Sequence, residues 1–173
     1  MKLYKVKIPV IANVVIETLC SSGAIEVEPE NRPEAEIDLV RIMETYSRRD
    51  FDLRDAVKEY MANHSVPYDR YGRTRSRMAQ EWGHPTGDDV QRYLARQFVE
   101  CFMISNFVEE VYHDDKDIYK AVIDIVCQHD VDERALRDEA RSKIANVAEG
   151  TVDYEIAMSK AMKEVKKRHG LIS

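Results

Sequence analysis

A chain of 173 residues, 44% apolar and 34% charged, has the composition of an ordinary globular protein, with length for one full core or two small ones. Its 6 glycines and 5 prolines supply too little turn chemistry for an all-β fold and favour helices joined by short loops. The net charge of −6 repels a phosphate backbone on average, so any nucleic-acid contact must rest on a local basic patch.

At the start, Lys2 and Lys5 ahead of an apolar run imitate a secretion signal. Asn13 interrupts the run, Glu17 closes it, and no small-residue cleavage site follows. No stretch reaches the roughly 18 apolar residues of a membrane span, so the expected setting is the cytoplasm, without membrane insertion. Ile8, Ile11, Ala12, Val15, Ile16 and Leu19 recur at helical spacing and predict an amphipathic helix over 8–22. Apolar and acidic residues alternate in GAIEVE (23–28), the pattern of a short extended segment. A second helix is expected from about Pro33, burying Leu39, Val40, Ile42, Met43 and Tyr46. Asp50 or Asp52 can cap a third, with the stripe Leu53, Ala56, Val57, Tyr60 and Met61. A fourth is expected from about Ser65 to Trp82, burying Tyr71, Met78 and Trp82.

Beyond GHPTGDD (83–89) the plan recurs. Thr86 is a candidate cap and Asp89 a favourable first-turn charge for a helix carrying Leu94, Ala95, Phe98, Val99, Phe102 and Met103. NFVEEVY (106–112) is a second alternating stub that could pair with the first. Ile118, Ala121, Val122, Ile125 and Val126 line the next helix, and Leu136, Ala140, Ile144 and Val147 the one after. Thr151 caps a last helix with Tyr154, Met158, Ala161, Met162 and Val165.

A shift of 83 residues carries Ala12 onto Ala95, Glu17 onto Glu100, Ser22 onto Ser105, Ile42 onto Ile125 and Asn63 onto Asn146. At the same shift Ile11 meets Leu94, Val15 meets Phe98, Leu19 meets Phe102 and Val40 meets Ile123, so the apolar pattern is kept as well. Gly23 falls on Asn106, and these are the residue types that most readily end a helix in the left-handed conformation. The expectation is an all-α protein of two tandem, related four-helix modules, about eight helices in all. The modules would span 1–85 and 86–173, packed as one unit, with extended segments near 24–28 and 107–111. Chance similarity between helical stretches is the competing explanation. The repeated Leu-Arg-Asp at 53–55 and 136–138 is read as part of matching third helices, its leucines in the core and its Arg-Asp pairs near helix starts.

The closing VDYEIAMSKAMKEVKKRHGLIS (152–173) and the segment GAIEVEPENRPEAEIDLVRIMETYSRRDFDLRDAVKEYM (23–61) resemble the bacterial family catalogued as domain of unknown function 507. The first module departs from that family by offering RYGRTRSR (70–77) where lysines are expected. The resemblance implies a bacterial, mostly helical protein and carries no activity, cofactor or site residue.

The basic clusters are the candidate contact sites. Arg70, Arg73, Arg75 and Arg77 lie close together beside Tyr68, Tyr71 and Trp82. Arginine forks grip phosphates and carboxylates, and aromatic faces stack on bases. On a helix, 70, 73 and 77 share one face while 75 points elsewhere. Lys160, Lys163, Lys166, Lys167 and Arg168 form the matching cluster of the last helix, where the helix dipole accounts for part of the run. Acidic residues repeat too, as Glu26, Glu28, Glu30, Glu34, Glu36 and Asp38, then Glu109, Glu110, Asp114, Asp115 and Asp117. Either basic cluster can meet an acidic protein surface, including the other module, or a nucleic acid.

His113, Asp114, His129 and Asp130 contain metal-ligating types, but without the two-His i,i+4 spacing of strong motifs. Cys20, Cys101 and Cys127 read as reduced, buried thiols, and His64 and His84 as surface or turn residues. There is no Gly-rich phosphate loop, nucleophile elbow or cysteine with a local histidine. The expected function is a non-enzymatic adaptor or regulator that docks a protein partner, or itself, and needs no cofactor. The alternative is a nucleic-acid binder using the basic fourth helices, and the third is an enzyme with a site assembled from distant residues.

Overall fold

The computed structural model describes residues 1–144 and 151–172. The protein is mostly helical, with one short two-stranded sheet. Helix α1 spans Ile8–Ser21, with Pro9 in its first turn and Ile8, Ile11, Ala12, Val15, Ile16 and Leu19 all inward. It ends at Gly23, whose φ of 73° lets the Ala24 N–H reach back to the Leu19 carbonyl at 2.9 Å. Strand β1, Ile25–Glu26, follows directly.

Helix α2 runs without interruption over Arg32–Asn63, so the second and third helices expected from the sequence are one element. Its buried residues are Ala35, Leu39, Met43, Tyr46, Leu53, Val57 and Met61. Tyr46 and Leu53 lie two helical turns apart, so the two apolar stripes are in phase and nothing between them breaks the helix. Asp50 is no cap; it occupies the intervening inward position and binds Arg54, one turn on, at 3.0 Å.

The chain turns at Ser65, which adopts a left-handed φ of 52°, so that the Val66 N–H reaches the Met61 carbonyl at 2.9 Å. A 3-10 turn over Tyr68–Arg70 leads into α3, Tyr71–Glu81. The expected helix from Ser65 therefore starts later. Thr74, Met78 and Ala79 are its buried residues. Trp82 is 37% exposed, contrary to expectation, because it lies just past the last turn, where its carbonyl accepts a hydrogen bond from Arg49.

Helix α4, Asp89–Ile104, buries Val90, Leu94, Ala95, Phe98, Val99 and Phe102. Thr86 makes no side-chain cap there; Asp88 occupies the cap position. Asn106 is not the counterpart of Gly23 in conformation, since Ser105 leaves the helix with extended backbone (ψ 133°) and donates its hydroxyl to Asp38 at 2.9 Å. Strand β2, Glu110–Val111, pairs antiparallel with β1, placing Ile25 opposite Val111 and Glu26 opposite Glu110. The two alternating stubs thus meet, with one residue of each acidic cluster in the ladder.

Helix α5 spans Asp115–Gln128 and buries Ile118, Val122, Ile125 and Val126. Asp132 caps α6, Glu133–Lys143, by accepting from the N–H groups of Arg134 and Ala135 at 2.9 and 3.0 Å. Thr151 caps α7, Val152–Arg168, as expected, accepting from the Tyr154 N–H at 3.1 Å. Val147 and Asn146 lie outside the described residues.

Three clusters of buried side chains result. The central one joins α1, the first half of α2, α4, α5 and the ladder, and so draws on both halves of the chain. Within it α1 packs on α2 and α5, while α4 packs on α5 and α2. A second cluster lies between the later half of α2 and α3, around Leu53, Val57, Met61 and Met78. The third joins α6 and α7 through Leu136, Ala140, Ala161 and Val165, with Tyr4 and Leu171 closing it. Among the described residues no helix is long and apolar enough to cross a membrane.

Candidate interaction surface

Asp50 fixes the position of α3. One of its oxygens accepts from Arg75 at 2.7 Å and lies 3.3 Å from His84 Nε2, while the other accepts from Arg54 at 3.0 Å. Arg75 therefore turns away from the other arginines to tie α3 to the middle of α2. His84, expected at the surface, is only 4% exposed. Its ring stacks on Tyr46 at 4.9 Å between centroids, and the Tyr46 hydroxyl donates to the Pro85 carbonyl at 3.1 Å. Burial lowers the His84 pKa; the facing Asp50 carboxylate works in the opposite direction, and Arg49 and Arg75 reinforce the lowering. Burial also pushes the Tyr46 hydroxyl well above its ordinary range, keeping it a neutral donor.

With α3 anchored, Arg70, Arg73 and Arg77 share an outward face, as the helical spacing predicts. They rim a depression of about 260 Å³ whose remaining wall is Tyr60, Val66 and Thr74. The Arg77 guanidinium lies 4.8 Å from the centre of the Tyr60 ring and 3.5 Å from Glu81, an arrangement that holds a long side chain over an aromatic face. Tyr68 stacks on Tyr71 with centroids 5.8 Å apart, yet remains 84% exposed. Arginine and tyrosine around a small apolar floor is the composition of an interface centre. Tyr60 packs partly on the α2–α3 cluster, as its stripe predicts, but its part in this face, like that of Val66, depends on α2 and the following turn meeting α3.

The α7 cluster is arranged differently. Lys166 is half-buried, 3.6 Å from Glu133 and 5.6 Å from the centre of the Tyr4 ring. Arg168 and His169 both engage Glu139 of α6, the latter at 2.8 Å. Two of the five basic residues singled out on α7, Lys166 and Arg168, therefore serve the packing of α7 on α6. Lys160, Lys163 and Lys167 are exposed.

Other sequence candidates separate in space. Asp114 precedes α5 and His129 follows it, so this 14-residue helix holds them about 20 Å apart. Cys20 and Cys101 are partly buried, and burial raises both thiols, Cys101 to about 11, so neither is an activated nucleophile. Cys127 is exposed rather than buried.

Compared with known families, residues 1–171 match the model described as Protein of unknown function (DUF507). No curated protein matches the chain.

Proposed function

The chain belongs to the DUF507 family, proteins of unknown function, and from that premise we propose that it is a non-enzymatic helical adaptor or regulator that docks an acidic protein partner through the outer face of α3. The observation that carries this reading is the rim of Arg70, Arg73 and Arg77 around a floor of Tyr60 and Val66, with Tyr68 exposed beside it. Such a surface offers charged forks for carboxylates and a small apolar seat for one anchoring side chain. We take the chain as a duplicated module, a reading supported by the reciprocal packing of α1 and α4, each against both α2 and α5, and by the pairing of β1 with β2. Divergence has then specialised the two ends: α3 keeps Arg73 and Arg77 outward, with Arg70 just before it, whereas α7 spends part of its basic cluster on α6. On this reading the protein is bacterial and cytoplasmic.

The test is capture from a lysate of the native host on immobilised wild type and on the triple variant Arg70→Glu, Arg73→Glu, Arg77→Glu. A protein retained by the wild type and lost from the variant supports the proposal; equal retention contradicts it.

A second reading, nucleic-acid binding, is favoured by the open ring of Tyr68 next to Arg70, which can stack on a base while arginines meet phosphates. It requires an affinity for single-stranded oligonucleotides that falls steeply with salt. Binding indifferent to salt, or surviving the triple charge reversal, would rule it out.

A further inference from the structure

On the other side of α3, a cleft of about 530 Å³ opens between the N-terminal segment, α2, α3 and α6. Its lining includes four basic side chains, Lys2, Arg54, Arg75 and Arg137, facing one carboxylate, Asp50. Two of the arginines come from the repeated Leu-Arg-Asp: Arg54 from the middle of α2 and Arg137 from α6. The leucines of both copies are buried in the two outlying cores, which aims the adjoining arginines at the same cleft.

Asp50 accepts one ion-paired nitrogen from each of Arg54 and Arg75. A guanidinium has five N–H donors, so most of both forks remain available to another acceptor. Arg137 is exposed and has no ion-pair partner among the described residues. Lys2 is held 3.9 Å from Glu133; burial lowers its pKa, that carboxylate opposes the shift, and Lys166 and Arg54 add to the crowding of positive charge. Four cations lining one cleft with a single carboxylate leave an excess of positive charge that a bound anion relieves.

We propose that this cleft binds a small phosphate-bearing anion, with Arg54, Arg75 and Arg137 gripping the phosphoryl oxygens and Lys2 completing the charge. Arginine forks match phosphate bidentately, and the volume lies within the range of small-molecule sites, larger than inorganic phosphate needs. A phosphate ester therefore fills the cleft better than the free ion.

The test measures the melting temperature and the binding isotherm of the full chain with inorganic phosphate and with adenosine monophosphate, each against chloride at equal ionic strength. Stabilisation beyond chloride is expected, and the tighter of the two probes identifies free ion or ester as the source. Arg137→Ala, an exposed change that the fold tolerates, is expected to weaken binding about tenfold, as loss of one charge-assisted contact implies. Lys2→Ala is expected to act in the same direction. The triple variant Arg70→Glu, Arg73→Glu, Arg77→Glu is expected to leave phosphate binding unchanged, which separates this site from the outer face of α3. The proposal is overturned if neither probe exceeds chloride, if Arg137→Ala and Lys2→Ala bind like the wild type, or if the triple variant alone abolishes binding.

Discussion

Asp50 occupies a position that the inward stripe of α2 otherwise gives to apolar side chains, and three groups converge on it from α2, α3 and the loop beyond. Asp50→Ala leaves Arg75 and the buried His84 without their acceptor. It is expected to lower stability by about 2 kcal/mol, the scale of a charge-assisted hydrogen bond lost in a partly buried setting. Urea denaturation measures this, and an unchanged midpoint would deny the cluster its structural role. His84 adds a pH dependence. Its folded pKa is lowered, so below the unfolded value of 6.5 the unfolded chain takes up the proton more readily and stability falls as pH drops. The stability difference between wild type and His84→Gln is therefore expected to shrink between pH 7 and pH values below 6.5. A difference that grows as pH falls would mean that Asp50 outweighs burial.

At the scale of elements, the continuity of α2 decides where α3 and its arginines stand. Were there two helices with Asp50 as a cap, proline at 51 would sit in a tolerant first-turn position. In the middle of one helix it removes a backbone hydrogen bond and clashes with the preceding turn. Phe51→Pro is therefore expected to cost about 3 kcal/mol or more relative to Phe51→Ala, measured by chemical denaturation. A cost below about 1 kcal/mol would restore the two-helix reading. This element also shows what the sequence made legible. The stripes of α1 and α5, that of α4 save for Met103, which is 48% exposed, the Gly23 end of α1, the Thr151 cap and the outward face of Arg70, Arg73 and Arg77 are all readable, because each follows from local spacing. The union of two helices is hidden in the sequence because an acidic residue inside an apolar stripe looks like a cap. Only the two-turn interval from Tyr46 to Leu53 marks the stripes as continuous. The burial of His84 and the part that Tyr60 and Val66 play in the arginine face have another cause: they depend on which elements meet, and no local pattern records that.

For the whole molecule, one central core shared by both halves carries two smaller outlying clusters, one beneath each basic helix. Small clusters open at lower free energy than a core that includes Phe98, Leu39 and Ile118. Hydrogen exchange is therefore expected to show α3, α6 and α7 exchanging through local openings, with α1, α4 and α5 protected up to global unfolding. Uniform protection would show a single cooperative unit instead. This gradient suits an interaction protein, since the surfaces offered to partners can adjust while the core holds their placement. It also gives the repeated Leu-Arg-Asp two tasks, a leucine for each outlying core and an arginine for the cleft between them.

An acidic protein on the outer face of α3 is the partner proposed above. Capture from a native-host lysate on the immobilised chain, with and without nuclease, tests it most directly. The expected result is a retained protein that survives nuclease and is released by raised salt; retention that disappears with nuclease would overturn the proposal and transfer the arginine face to nucleic acid.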